Sequence, residues 1–135
     1  MSETSDLFAA AFAARERAYA PYSGFRVGAA LRDEHGTIHA GCNVENAAYP
    51  VGTCAEAGAI AAMIAGGGRA IGELLVLGDG AALVTPCGAC RQRIREFAVA
   101  GTAIHVAGLD GVRRSFTVDA LLPDSFGPRN LGVAG

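Results

Sequence analysis

Apolar residues along the chain fall into two kinds of segment, helical-period stretches and short runs bounded by Gly, Pro and Asp. Leu7, Phe8, Ala11, Phe12 and Tyr19 recur at helical spacing behind Ser5, a residue type that caps helices, and predict a helix over residues 5–20. Pro21 disfavours helix in the residue before it and ends that segment. Strands are predicted over 27–32 and 37–44, joined by the turn Asp33-Glu34-His35-Gly36. A loop over 46–53 leads to a second helix over 54–65, stopped by Gly66-Gly67-Gly68. Leu74-Leu75-Val76-Leu77 is an unbroken apolar run that suits a strand buried on both faces. Pro86, after Thr85, suits the first turn of a third helix, predicted to reach Gly101. Strands over 103–107 and 113–118 surround Leu109-Asp110-Gly111, and 119–123 forms one last helical turn. The order α-β-β-α-β-α-β-β predicts an α/β fold, a three-layer α/β/α sandwich with helices on both faces of one five-stranded mixed sheet.

Composition narrows the class. The 135 residues suit one domain spanning 1–135, and 51% apolar content is ample for a core. Charged residues are only 18%, against about 25% in an average domain. So little polar surface in a small chain predicts that a subunit contact covers part of it. The net charge of −2 carries no global electrostatic footprint for nucleic acid. No apolar run approaches the roughly 18–20 residues of a membrane span. The acidic, polar start Met1-Ser2-Glu3-Thr4-Ser5-Asp6 is unlike a signal peptide, so the expected location is cytoplasmic. Structural disulfides are rare there, which turns attention to what else the four cysteines do.

Pro86-Cys87-Gly88-Ala89-Cys90 holds two thiols three residues apart at a predicted helix start, on one helical face. Alone it reads as a zinc site, a redox pair or a chance pair of core cysteines. Cys54 also opens a predicted helix, so two helix N-termini, each favouring thiolate, could converge on one cation. Three protein ligands leave a tetrahedral position open, the mark of a catalytic zinc. Cys42, His35, His39 and His105 lack ligand spacing to the others. Glu56 follows Cys54 by two residues, off the cysteine's face but within reach of what the metal binds. A C-x-E followed by P-C-x-x-C is the pattern of the zinc nucleobase deaminases.

The chain resembles the homotetrameric zinc-dependent cytidine deaminases from Tyr19 to about Leu131. The resemblance lies in Tyr22-Ser23-Gly24-Phe25-Arg26-Val27-Gly28-Ala29-Ala30, Gly41-Cys42-Asn43-Val44-Glu45-Asn46-Ala47, Thr53-Cys54-Ala55-Glu56, Pro86-Cys87-Gly88-Ala89-Cys90-Arg91-Gln92 and Leu121-Leu122-Pro123, in that order. It implies one Zn²⁺ per chain on Cys54, Cys87 and Cys90, supplying hydroxide at neutral pH for attack on C4 of cytosine. It implies Glu56 as the proton carrier, and Asn43 and Glu45 as a clamp on the ribose hydroxyls. At i and i+2 of a strand those two side chains share a face. It further implies Phe25 against the pyrimidine ring, backbone around Ala55 and Cys87 at the base edge, and Tyr49 and Phe126 lining a neighbouring subunit's pocket. The expected partner is a small nucleoside, with no nucleic acid and no membrane.

Two departures stand out. Many relatives carry an arginine after the catalytic glutamate, hydrogen-bonded to the zinc thiolates; this chain has Ala57, and Arg91 is the expected substitute. Ala48 precedes Tyr49 where a serine is common. The small residue after Glu56 is also similar to deaminases of modified cytosine nucleosides such as blasticidin S, an alternative substrate class. A non-catalytic zinc-stabilised domain is the alternative of another kind, but it gives no reason for Glu56, Asn43 and Glu45.

Overall fold

In the computed structural model, which describes residues 3–133, the elements follow the expected order. They are α1 (Glu3–Arg15), β1 (Val27–Asp33), β2 (Ile38–Cys42), α2 (Ala55–Ala65), β3 (Ile71–Gly78), α3 (Gly88–Phe97), β4 (Ala98–Gly108), β5 (Gly111–Thr117) and α4 (Val118–Leu121). One sheet runs β2-β1-β3-β4-β5, with β3 and β4 parallel and the other pairs antiparallel. The expected five-stranded mixed sheet is therefore present.

The buried strand β3 separates two cores. Leu75 and Leu77 face α1 with Leu7, Ala11 and Ala30, whereas Leu74 lies with Ala59, Met63, Ile94 and Ile104 under α2 and α3. Such alternation is what a strand covered on both faces requires. Two glycines set the layer spacing. A Cβ at Gly28 would lie 2.0 Å from the Ala11 carbonyl oxygen, and one at Gly41 would lie 2.4 Å from the Ala59 nitrogen. Helices α1 and α2 thus rest directly on strand backbone.

Several boundaries differ from expectation. Helix α1 ends at Arg15, five residues short, because Tyr19 pairs in extended form with Val44. Ser5 lies inside that helix rather than at its cap. Strand β2 stops at Cys42 instead of reaching Val44. Helix α3 starts at Gly88 with Cys87 as its N-cap, so Pro86 precedes the helix. It ends at Phe97, and Ala98 enters β4 at once by pairing with Ile71. Gly101, expected as a helix stop, has φ +81 inside β4, where the β3–β4 register shifts.

Candidate active site

The two helices on one face of the sheet both begin at cysteines. Cys54 caps α2 and Cys87 caps α3, each with extended backbone. Cys90 follows in the first turn of α3 and is fully buried. The three sulfurs lie within 4.8 Å of one another, with Cys54 Sγ and Cys87 Sγ 3.8 Å apart. A tetrahedral zinc with sulfur ligands at about 2.3 Å separates them by about 3.8 Å, so the donor set fits that ion. Ionised together, the three sulfurs and Glu56 repel one another. Burial, then Glu56 and the other two thiols, pushes Cys90 far up; burial also raises Cys54. Burial opposes ionisation at Cys87 as well, but hydrogen bonds from Cys90 and Cys54 outweigh it and lower that thiol.

Glu56, the second residue of α2, is 4% exposed, and burial raises its carboxyl above the usual range. A carboxyl so placed keeps a proton more readily than an exposed one, which suits a group that carries protons. Ala55 and Glu56 lie with Cys54 and Cys87 in the wall of a cavity of about 550 Å³, lined also by Val27, Val76 and Val84. That volume is in the range of small-molecule pockets.

Asn43 and Glu45 line the same cavity just beyond β2. Both also fasten the loop before β1. Asn43 accepts from Val27 N at 2.9 Å and donates to the Phe25 carbonyl at 2.8 Å. Glu45 accepts from the backbone of Tyr22 and Ser23 at 2.9 and 3.1 Å and from the Ser23 hydroxyl. The Ser23 hydroxyl, then the Ser23 N–H, holds the Glu45 carboxylate below its ordinary value. Those bonds leave one Asn43 amide hydrogen and further lone pairs on both side chains.

The remaining expected residues scatter. Tyr49 stands on the rim of its own chain's cavity, edge-on to Tyr22 at 6.0 Å. Phe25 is exposed and outside the cavity lining; its carbonyl, not its ring, meets Asn43. Phe126 is also exposed and outside the lining, with its carbonyl held by Gln92. Cys42 sits on β2 opposite Gly28, on the α1 side of the sheet. The histidines are engaged elsewhere: His39 with Asp33, His105 with Glu73 and Ser115.

Arg91 does not reach the thiols. It donates to the carbonyls of Pro86 and Leu121 and to the Thr85 hydroxyl, joining α3 to α4. Arg93 makes the sulfur contact instead, from Nη1 to Cys90 Sγ at 3.3 Å. Its spacing of three residues after a ligand was the available signal.

The family model for the cytidine and deoxycytidylate deaminase zinc-binding region matches residues 1–106. A cytidine deaminase of Sporosarcina psychrophila is 43% identical over 132 residues, covering 98% of this chain and 97% of that one. The crystal structure of cytidine deaminase from Burkholderia pseudomallei superposes with TM-score 0.86 at 41% identity, covering 93% of this chain and 100% of that one. For the crystal structure of the Mycobacterium tuberculosis cytidine deaminase the TM-score is 0.79 at 35% identity, covering 94% and 99%.

Proposed function

Because the chain belongs to the cytidine and deoxycytidylate deaminase family of zinc proteins, we propose that it hydrolyses cytidine and deoxycytidine to uridine and deoxyuridine, releasing ammonia. The observation that carries this reading is a three-thiol cluster, two of whose cysteines, Cys54 and Cys87, line one nucleoside-sized cavity together with the buried Glu56. Cys54, Cys87 and Cys90 would hold a zinc ion, which when bound would make a water acidic enough to act as the nucleophile at neutral pH. Glu56 takes one proton of the attacking water and delivers it to N3 of the cytosine ring; it then takes the proton of the new C4 hydroxyl and passes it to the amine, so that the C4–N bond breaks, the C4 carbonyl forms and ammonia leaves. Its raised affinity for a proton suits a group that must be neutral for part of the cycle. The first-turn N–H groups of α2, which have no intrahelical partner, face the base edge around Ala55.

Asn43 and Glu45 clamp the ribose hydroxyls with the capacity left after they fasten the loop. That preference for a sugar hydroxyl pair favours a free nucleoside over a base or a polynucleotide. In the same reading the chain is a cytoplasmic homotetramer with shared active sites. The exposed rings of Tyr22, Phe25, Tyr49 and Phe126 support this, since such groups call for a neighbouring surface. In that assembly Tyr49 and Phe126 line a neighbouring subunit's pocket, and Phe25 lies against the pyrimidine ring. The test is the loss of cytidine absorbance on adding protein, with deoxycytidine and blasticidin S in the same panel. Turnover of cytidine and deoxycytidine is expected. Turnover of blasticidin S alone would move the substrate to the modified nucleosides, and turnover of none would remove the enzyme reading.

A further inference from the structure

Arg93 stands on α3 three residues after Cys90, which brings it one turn along the same side of the helix. Its Nη1 donates to Cys90 Sγ at 3.3 Å, while the rest of the side chain is exposed. The charge balance makes that contact matter. Three thiolates around a divalent ion leave a net −1, and the buried Glu56 adds negative charge beside them whenever it is ionised. Arg91, the neighbouring cation, is committed to two carbonyls and a hydroxyl. On the other helix, position 57 stands three residues after Cys54, the spacing that Arg93 has to Cys90. Position 57 is an alanine, so α2 offers the cluster no cation there, whereas α3 offers the Arg93 guanidinium.

We propose that Arg93 is a positioning residue for the metal centre, whose guanidinium offsets the charge of the Cys54, Cys87 and Cys90 cluster and orients the Cys90 sulfur. It does from α3 what a cation at position 57 would do from α2. The inference rests on the zinc reading above, but not on which nucleoside is the substrate.

The experiment is a competition for zinc between the full chain and a chromogenic chelator. Arg93→Met keeps the aliphatic stem and removes the charge. Loss of a group that supports a metal ligand costs about 10–100-fold in metal affinity. Solvent screening of the exposed arginine puts the expected weakening near the low end, about tenfold. Arg93→Lys should recover part of it, since a point charge lacks the guanidinium's directed donors. Adding Ala57→Arg to Arg93→Met should recover most of it. Wild-type zinc affinity in Arg93→Met would overturn the proposal. So would a loss that neither Arg93→Lys nor Ala57→Arg reverses, because the effect would then be one of packing. Cytidine turnover is followed on the same samples. A wild-type chain that holds zinc and leaves cytidine intact would remove the enzyme reading and leave the Arg93 result standing.

Discussion

Cys54 Sγ and Cys87 Sγ lie 3.8 Å apart although 33 residues separate them in the chain. Each is the N-cap of its helix, so the contact fixes the approach of α2 to α3 at their first turns. A metal bound there stabilises the fold as well as the chemistry, because affinity for the folded state alone is folding free energy. Zinc removal by a chelator should therefore lower the melting temperature reversibly. Cys87→Ser should lose zinc per chain, lose turnover, and no longer respond to the chelator in a melting experiment.

Glu45 serves both the loop and, in the proposed function, the sugar. Glu45→Gln keeps the shape but loses the charge that strengthens the bonds from Ser23 and Tyr22. The expected effect is a rise in KM of about tenfold, with a smaller change in kcat. Steady-state kinetics with cytidine check it. An unchanged KM would remove Glu45 from substrate binding.

Asp33 closes the β1–β2 turn. It accepts from the backbone N–H groups of His35 and Thr37 and pairs with His39 at 2.8 Å. The His39 hydrogen bond, followed by those N–H groups against the opposing effect of burial, holds the carboxyl below its ordinary value. A carboxylate with a lowered folded-state value adds stability above its unfolded value, near pH 3.9, and loses it as pH falls through the folded one. The melting-temperature gap between wild type and Asp33→Asn should be present at pH 7 and narrow below about pH 4. A gap that widens with acid would contradict this.

At Gly28 the α1 backbone leaves no room for a side chain. Gly28→Ala should cost about 1–3 kcal/mol or more by forcing the layers apart. Chemical denaturation measures it, and a neutral result would mean that α1 shifts freely on the sheet.

Much of this was legible in the chain. The apolar run Leu74-Leu75-Val76-Leu77 announced a strand buried on both faces, and C-x-E with P-C-x-x-C announced the cluster that the fold assembles. What escaped were features decided by long-range pairing. Tyr19 has helical spacing but joins Val44, and Ala98 follows a helix yet pairs with Ile71. Arg91 adjoins Cys90 in sequence, but consecutive helix residues point apart, and the contact falls to Arg93. The rings of Phe25 and Phe126 lie outside the cavity of their own chain, so one chain's geometry does not express the role that the resemblance implies for them.

Glu56 bears the central claim. Glu56→Ala leaves the three thiols in place but removes the only carboxylate placed at them by the first turn of α2. The decisive measurement is cytidine turnover by wild type and Glu56→Ala, each assayed with its zinc content per chain. The account predicts equal zinc and a loss of turnover of about 10²–10⁴-fold or more in the variant. Wild-type turnover in a zinc-loaded Glu56→Ala would contradict it.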